Sequence, residues 1–418
     1  MLEIRYNADI TDRNTFRMRV KAACIVEYDS IGDLEEIRLM LSPGGNVSSP
    51  DMEGSGIHGR KLPSPVLHIG GGSNLLFTKD FPGTLLHSGI RFIRYADIGH
   101  KGQTASGQAS DSPNPEGLSS GGGQAEDSRK VTVEVGAGTV FDDFCAWAAG
   151  EGLWGVENLS HIPGETGAAA VQNIGAYGVE ISDVIDKVNC YDMVLGRSTS
   201  FNAGECGYGY RDSLFKRDRK GRYIVTSVTF RLSETPAPVL DYGHIRSAIV
   251  SALEGQGYRT DSSPDRTGLT DGFQSGNAFP GLTPAMVRDV ITGIRKGKLP
   301  EPSETGSAGS FFKNPVVPKS DYDRVVSIAS LNLGKDCRVP HYDAGSGFVK
   351  IPAAWLIEQC GWKGYRTGNV GVYEKQPLVI VNATGKAVPD EVLALEERIV
   401  ASVQRRFGIT LTPEVEHI

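Results

Sequence analysis

The chain lacks the short cysteine patterns that would announce a zinc site or a redox dithiol. Its six cysteines, Cys24, Cys145, Cys190, Cys206, Cys337 and Cys360, form no C-x-x-C pair. They read as unpaired thiols of a reducing compartment. No set of Cys, His or carboxylate residues has metal-ligand spacing, so no metal is expected. No apolar run approaches the ~20 residues of a membrane span. No signal peptide is expected, because Asp9, Asp12 and Arg13 precede any apolar stretch, and a cytoplasmic location is expected instead. An excess of positive charge is absent, with 43 Lys and Arg against 50 Asp and Glu for a net charge of −7. Nothing in that balance predicts nucleic acid as a partner, and an anionic substrate must be met by local basic residues.

Glycine is abundant, with 52 residues in 418. Two segments concentrate it. One is Ile69-Gly70-Gly71-Gly72-Ser73-Asn74-Leu75-Leu76-Phe77. The other runs Ile162-Pro163-Gly164-Glu165-Thr166-Gly167-Ala168-Ala169-Ala170-Val171-Gln172-Asn173-Ile174-Gly175-Ala176-Tyr177-Gly178. Loops with so little side-chain bulk let several backbone N–H groups approach an anion. Two of them predict a ligand with an extended phosphate, such as a dinucleotide. The G-x-G-x-x-G fingerprint is not met: residues 70–75 end in Leu75 and residues 136–141 end in Phe141, so no Rossmann site is supported. A lone glycine cluster reads as an ordinary turn. A turn does not need the length and composition of the second segment.

At this length the chain suits two or three domains. Three stretches, 43–65, 100–130 and 255–281, are rich in Gly, Ser and Pro or poor in apolar residues, and read as surface insertions. They are decoration or, alternatively, partner-binding segments. Strands are predicted at 65–69, 131–135, 223–232 and 378–382. Helices are predicted at 141–150, 283–298, 353–361 and 389–407, from apolar spacing and from Pro and Gly at their ends. Strands and helices mixed without a strict βαβ rhythm predict an α+β fold.

Several motifs together carry a resemblance. Gly-Gly-Gly-Ser-Asn at 70–74 precedes Gly152-Leu153-Trp154-Gly155-Val156-Glu157-Asn158-Leu159, and Ile-Pro-Gly…Gln-Asn-Ile-Gly-Ala-Tyr-Gly follows at 162–178. Further along the chain come Gly209-Tyr210-Arg211-Asp212-Ser213-Leu214-Phe215-Lys216 and Ala308-Gly309-Ser310-Phe311-Phe312-Lys313-Asn314-Pro315. Asn14-Thr15-Phe16 and Pro413-Glu414-Val415 stand at the two ends. In this order, from about Asn14 to Val415, the chain resembles the UDP-N-acetylenolpyruvoylglucosamine reductases (UDP-N-acetylmuramate dehydrogenases), flavin enzymes of peptidoglycan precursor synthesis. The resemblance implies a flavin-binding fold of the vanillyl-alcohol-oxidase/PCMH type with an additional α+β substrate-binding domain. It places FAD-binding subdomain 1 at 1–87, joined by 408–418. Subdomain 2 would occupy 88–298, and the substrate-binding C-terminal domain 299–407.

The family reaction implies FAD as cofactor, NADPH as hydride donor and a UDP-sugar as substrate. Hydride addition to an unsaturated carboxylate develops enolate charge, which needs an electrophile at the carboxylate and a proton donor at carbon. Arg211 matches the electrophile, and a guanidinium holds a carboxylate bidentately at any working pH. Ser310 matches the proton donor. Glu414 matches a catalytic carboxyl that must be protonated, or share a proton, when the enolate forms. Outside this context each has a plain reading: a surface ion pair, a turn serine and a solvated tail residue. Tyr242 matches a substrate-capping tyrosine loop found in one form of the family. Lys298, Asn314 and Tyr210 fall at substrate-side positions. For FAD, Gly70, Gly71, Gly72, Ser73 and Asn74 match the pyrophosphate loop. Gly164, Gly167, Ala168, Gln172, Asn173 and Gly178 match a second wall. Two departures stand out: Thr412 replaces an acid expected two positions before Glu414, and few residues remain after Glu414 to form a closing strand.

Two other functions are weighed. An oxygen-using flavin oxidase of the same broad fold would lack the Tyr-Arg-Asp-Ser and Gly-Ser-Phe-Phe-Lys-Asn-Pro segments together. A nucleotide-binding regulatory protein without catalysis would lack Arg211, Ser310 or Glu414. All of these are present.

Overall fold

The structure, a computed structural model, describes residues 2–42, 61–96, 130–217, 219–242, 245–255, 279, 281–334 and 336–418. The chain divides into two units. Unit 1 contains Met1–Gly89, Pro163–Glu165 and Thr292–Ile418; unit 2 contains Ile90–Ile162 and Thr166–Ile291.

Unit 1 begins with β1 (Glu3–Asp9), β2 (Lys21–Tyr28), α1 (Ile31–Leu41), β3 (Val66–Ile69), β4 (Leu75–Leu76) and β5 (Phe81–Ser88). Four of the strands form a sheet in the order β1-β2-β5-β3. β1 is antiparallel to β2, whereas β5 runs parallel to both β2 and β3. The parallel strands therefore end on one side of the sheet, and residues 70–74 leave from the end of β3. β5 is buried at nearly every position, as a strand covered on both faces should be. Ser30 caps α1 by accepting from the Asp33 N–H at 3.1 Å.

Unit 2 is built on a five-stranded antiparallel sheet in the order β11-β10-β12-β7-β6. Its strands are β6 (Ile93–Tyr95), β7 (Lys130–Gly136), β10 (Ile185–Asp192), β11 (Arg197–Asn202) and β12 (Tyr223–Ser233). Between β7 and β10 lie α2 (Phe141–Gly150), α3 (Thr166–Gln172) and a tiny hairpin of β8 (Gly175–Ala176) and β9 (Val179–Glu180). Phe144 of α2 stacks on Phe230 of β12 with ring centroids 4.7 Å apart, which fixes helix against sheet. α4 (Ile245–Gly255) and α5 (Pro284–Lys298) follow, and the division between units falls inside α5. Arg288 of α5 holds Asp142 of α2 through both oxygens, at 2.5 and 3.0 Å.

The remainder of unit 1 carries β13 (Gly306–Ser307), β14 (Val316–Pro318), α6 (Lys319–Leu333), β15 (Tyr342–Asp343), β16 (Phe348–Lys350), α7 (Ala353–Gln359), β17 (Arg366–Thr367), β18 (Val370–Val372), β19 (Ile380–Asn382), α8 (Pro389–Phe407) and β20 (Glu416–His417). One sheet is ordered β13-β19-β18-β17 and a second β14-β16-β15. α8 starts with Pro389 and an acidic first turn, and the Glu391 carboxylate accepts the Val388 N–H at 3.0 Å. It stops at Gly408, whose φ is 70°. Its face of Val392, Leu395, Ile399, Val403 and Phe407 is buried in the unit 1 core.

Helices predicted at 141–150 and 389–407 have those bounds. The helix predicted at 353–361 ends at Gln359, and the strand predicted at 378–382 begins at Ile380. The second glycine-rich segment is only partly a loop: residues 166–172 form α3, because Ala168, Ala169 and Ala170 favour a helix. The closing strand put in question by the short tail does form. β20 pairs in parallel with β4, and Thr78 holds the Ile418 carbonyl through its N–H at 2.8 Å and its hydroxyl at 2.7 Å. The insertions at 43–65, 100–130 and 255–281 lie outside the described residues except at their ends. Residues 61–65 belong to unit 1, where Thr84 donates to the Pro65 carbonyl from its N–H and to the Pro63 carbonyl from its hydroxyl. Among the described residues, no helix is long and apolar enough to cross a membrane.

Candidate functional site

Unit 1 contains the first glycine-rich loop, residues 70–74, and the tip of the second, Pro163–Glu165. Asn14 sits behind the loop, buried, with Nδ2 donating to the Ile10 and Met18 carbonyls and Oδ1 accepting the Met18 N–H at 2.8 Å. The Asn14-Thr15-Phe16 motif thus ties a turn, and Thr15 N–H donates to the Gly72 carbonyl at 3.3 Å. Gly72 has φ 67°, and a Cβ there would lie 2.0 Å from the Arg13 carbonyl oxygen, so only glycine fits. Gly164 closes the other side. Its φ is 116°, and a Cβ on it would come 2.9 Å from Ser73 Oγ, which itself donates to the Pro163 carbonyl at 3.1 Å.

The backbone N–H groups of Gly71, Gly72, Ser73 and Asn74 have no protein acceptor among the described residues. Four consecutive donors at the end of a parallel strand, with a Gly72 that tolerates no added bulk, suit a pyrophosphate. This is the observation by which the chain fits FAD, and Gly70 stands at the entrance to the same loop.

The same unit pairs the stretch after Ser310 with the stretch that carries Glu414. Glu414 N–H donates to the Phe311 carbonyl at 2.8 Å, Phe312 bridges Pro413, and Lys313 N–H donates to the Thr412 carbonyl at 2.9 Å. Asn74 Nδ2 donates to the Glu414 carbonyl at 3.1 Å, and Glu416 N–H to the Asn74 carbonyl at 2.9 Å. Three distant stretches, around residues 74, 310 and 414, are therefore hydrogen-bonded neighbours. Phe311 and Phe312 anchor this layer in the core while Ser310 remains exposed and Glu414 half-buried. Asn314 has a structural use, since its Oδ1 accepts the Ala353 N–H at 2.9 Å and caps α7. Lys298 is exposed at the end of α5.

Unit 2 holds the other predicted residues around the β8–β9 hairpin. The Arg211 guanidinium donates to the carbonyls of Asn173, at 3.2 Å, and Gly175, and lies 5.4 Å from the centroid of the Tyr210 ring. Asn173 is fully buried; its Nδ2 donates to Glu180 at 2.9 Å and to the Gly209 carbonyl at 2.8 Å. Tyr242 meets Tyr177 edge-on at 6.2 Å, and a Cβ on Gly178 would touch the Tyr242 Cβ at 3.6 Å. Non-glycine residues with left-handed φ are uncommon and concentrate at functional sites. Asn173 (46°), Tyr177 (51°) and Arg211 (55°) are three of them, all at this hairpin. Gly167 and Ala168 lie on α3, where the Gly167 N–H donates to the Ala137 carbonyl at 2.9 Å and the missing side chain allows close packing on Ala137.

Lys216 belongs to this cluster and was not singled out from the sequence. Its Nζ donates to Gln172 Oε1 at 2.6 Å and to the Arg211 carbonyl at 3.3 Å. It tethers the backbone of Arg211 to the end of α3. Its place at the end of the Tyr210-Arg211-Asp212-Ser213-Leu214-Phe215-Lys216 motif was the available signal. Glu180, holding Asn173, had none.

Residues 301–418 match the family model described as UDP-N-acetylenolpyruvoylglucosamine reductase, C-terminal domain, and residues 121–202 match that of an FAD binding domain. A UDP-N-acetylenolpyruvoylglucosamine reductase of Bacteroides fragilis (strain YCH46) is 39% identical over 417 residues, covering 100% of both chains. One from Chromobacterium violaceum is 36% identical, covering 99% of this chain and 98% of its own. The crystal structure of the enzyme from Thermus caldophilus has a TM-score of 0.56 at 20% identity, covering 100% of this chain and 98% of that one, a likeness of fold.

Proposed function

The chain belongs to the UDP-N-acetylenolpyruvoylglucosamine reductase family, and we propose that the residues gathered in its two units perform the family's reaction. It is an FAD-dependent oxidoreductase that uses NADPH to reduce the enolpyruvyl group of UDP-N-acetylglucosamine-enolpyruvate to UDP-N-acetylmuramate, a step of peptidoglycan precursor synthesis. Its fold is the FAD-binding α+β type of the vanillyl-alcohol-oxidase/PCMH group with the reductase C-terminal domain. We assign FAD subdomain 1 to 1–87 with 408–418, subdomain 2 to 88–298 and the substrate domain to 299–407, in a cytoplasmic enzyme.

FAD, when bound, supplies the hydride. Residues 71–74 would hold its pyrophosphate through the unspent N–H groups, with Gly70 at the entrance, Gly164 completing the unit 1 wall, and Ala168, Gln172 and Gly178 forming the unit 2 wall, backed by the buried Gly167 and Asn173. Arg211 has the charge to draw electron density onto the substrate carboxylate as carbon gains hydride. Two of its donors are committed to backbone carbonyls, so the guanidinium is held in one orientation before substrate arrives. The Ser310 hydroxyl, exposed after Gly309, would pass a proton to the carbon next to the carboxylate. Glu414, on the stretch adjoining Ser310, would hold a proton nearby, so that no second negative charge faces the enolate. Tyr242, beside the Tyr177–Gly178 turn, with Lys298, Asn314 and Tyr210, would contact the diphosphate side. The presence of Tyr242 supports the form of the family with a substrate-capping tyrosine loop.

The observation that supports this reading is the hydrogen bonding of residue 414 to both residue 74 and residue 311, which joins the glycine-rich loop to the stretches that carry Ser310 and Glu414. An anaerobic titration tests it. The purified protein is expected to be yellow, to lose its visible flavin band on adding NADPH, and to regain it with the enolpyruvyl UDP-sugar. A protein that refuses FAD, or whose reduced flavin answers only to oxygen, rejects it.

A further inference from the structure

A row of ionisable groups in unit 1, buried at His87 and Glu165, lies beside the pyrophosphate loop and has no place in the chemistry above. Glu27 of β2 and His87 of β5 are cross-strand partners in the parallel sheet, and Ile69 of β3 is the next partner of His87. Residue 70 follows immediately, so the row lies at the mouth of the loop. His87 is buried at 2% exposure and Glu165 at 7%. His87 Nε2 stands 2.8 Å from Glu165 Oε1, and His87 Nδ1 3.4 Å from Glu27 Oε1. Glu27 is in turn held by Arg13 and, at 3.5 Å, by Arg5. The neighbouring His68 is bonded to Tyr28 OH at 2.6 Å and is kept neutral, because burial first and His87 second push it down to about 4. A buried carboxylate must be paired, and Glu165 is paired with His87. Glu165 directly follows Gly164, the residue that faces Ser73 and Gly71 across the loop.

We propose that His87 and Glu165 are positioning residues that latch Pro163–Glu165 onto β5 and so set the width of the cradle between Gly164 and residues 71–74 that receives the FAD pyrophosphate. The latch acts through its hydrogen bond and not through charge on the phosphate, since a carboxylate so near would only repel it. It rests on the flavin reading above.

FAD binding to the apoprotein, followed by quenching of flavin fluorescence, reads the latch without turnover. Glu165→Asp keeps the charge but is one methylene too short to reach His87; Glu165→Gln keeps the reach and loses the charge. The Asp variant and His87→Ala are expected to bind FAD about tenfold or more weakly than the parent, while the Gln variant stays within about threefold. The unfolding midpoint of each apoprotein serves as the second measurement. Parent-like FAD affinity in Glu165→Asp, or an equal loss in Gln and Asp, overturns the latch. A lowered unfolding midpoint with unchanged affinity also overturns it, since the pair would then hold the fold alone. A parent that binds no FAD sinks the flavin reading itself, and with it the latch, and is told apart from failure of the latch alone by the parent titration.

Discussion

At the scale of single residues, side chains named for chemistry are held by side chains whose work is geometric. Arg211 sits at a left-handed φ that costs on the order of 1–3 kcal/mol. It is held there by the carbonyls of Asn173 and Gly175 and by Lys216 on its own carbonyl. Asn173 is itself left-handed and buried, and it depends on Glu180 and the Gly209 carbonyl. Ser310 has the opposite character: exposed, following a glycine at φ 69°, and free to turn its hydroxyl toward a ligand. Ser310→Ala is expected to leave bleaching of the flavin by NADPH within about twofold of the parent. Reoxidation by the enolpyruvyl substrate should slow by roughly 10²–10⁴-fold, the usual worth of a general acid. Stopped-flow measurement of the two half-reactions separates these, and equal losses in both would remove Ser310 from its role.

Among the elements, β20 is only two residues long and has large consequences. Its two residues pair with β4 and lock the Ile418 carbonyl to Thr78, which keeps Glu414 next to Asn74. α8 meets this strand through a polar contact: Glu396, 9% exposed, lies 3.2 Å from His417 Nε2. Burial, and secondarily Glu397, raise the Glu396 carboxyl to about 7, while burial lowers His417. The proton thus sits on the carboxyl. A carboxyl that binds its proton more tightly in the fold than in the open chain contributes stability at low pH. That stability is present below the unfolded value near 4.5 and is lost as pH rises through about 7. The span amounts to about 2–4 kcal/mol. Glu396→Gln, which keeps a donor toward His417 and cannot ionise, is expected to flatten the decline in unfolding midpoint between about pH 5 and 7. It should also raise the midpoint at pH 8 by a few degrees. A variant with the parent's pH profile would show that the carboxyl ionises at its ordinary value.

At the scale of the whole molecule, the two units divide the residues of the proposed site. Unit 1 has the glycine-rich loop 70–74 with Ser310 and Glu414, and unit 2 has Arg211 with Tyr210 and Tyr242. The composition of residues 100–130 gives them no apolar core to contribute to either unit. Deleting residues 103–124 is expected to leave kcat/KM within about twofold of the parent and the flavin stoichiometry unchanged. A folded, flavin-loaded but inactive deletion variant would show that the segment takes part in turnover.

The sequence alone determined the family, the α+β class and the chemical inventory, because motifs at separate points of the chain each require their own residue types in a fixed order. It also determined α2 and α8, whose apolar spacing and end residues are local signals. Tertiary structure alone decided which segments became neighbours. That residue 74 lies against 414, and 414 against 311, follows from β20 joining β4 and from long-range backbone hydrogen bonds that no local pattern records. It also decided the uses of glycine and of buried charge. Gly72 is required by the Arg13 carbonyl, and Glu165 is paired because its loop folds against His87 of β5. Desolvation and close approach belong to the folded chain, so the sequence supplies the groups and the fold assigns their partners.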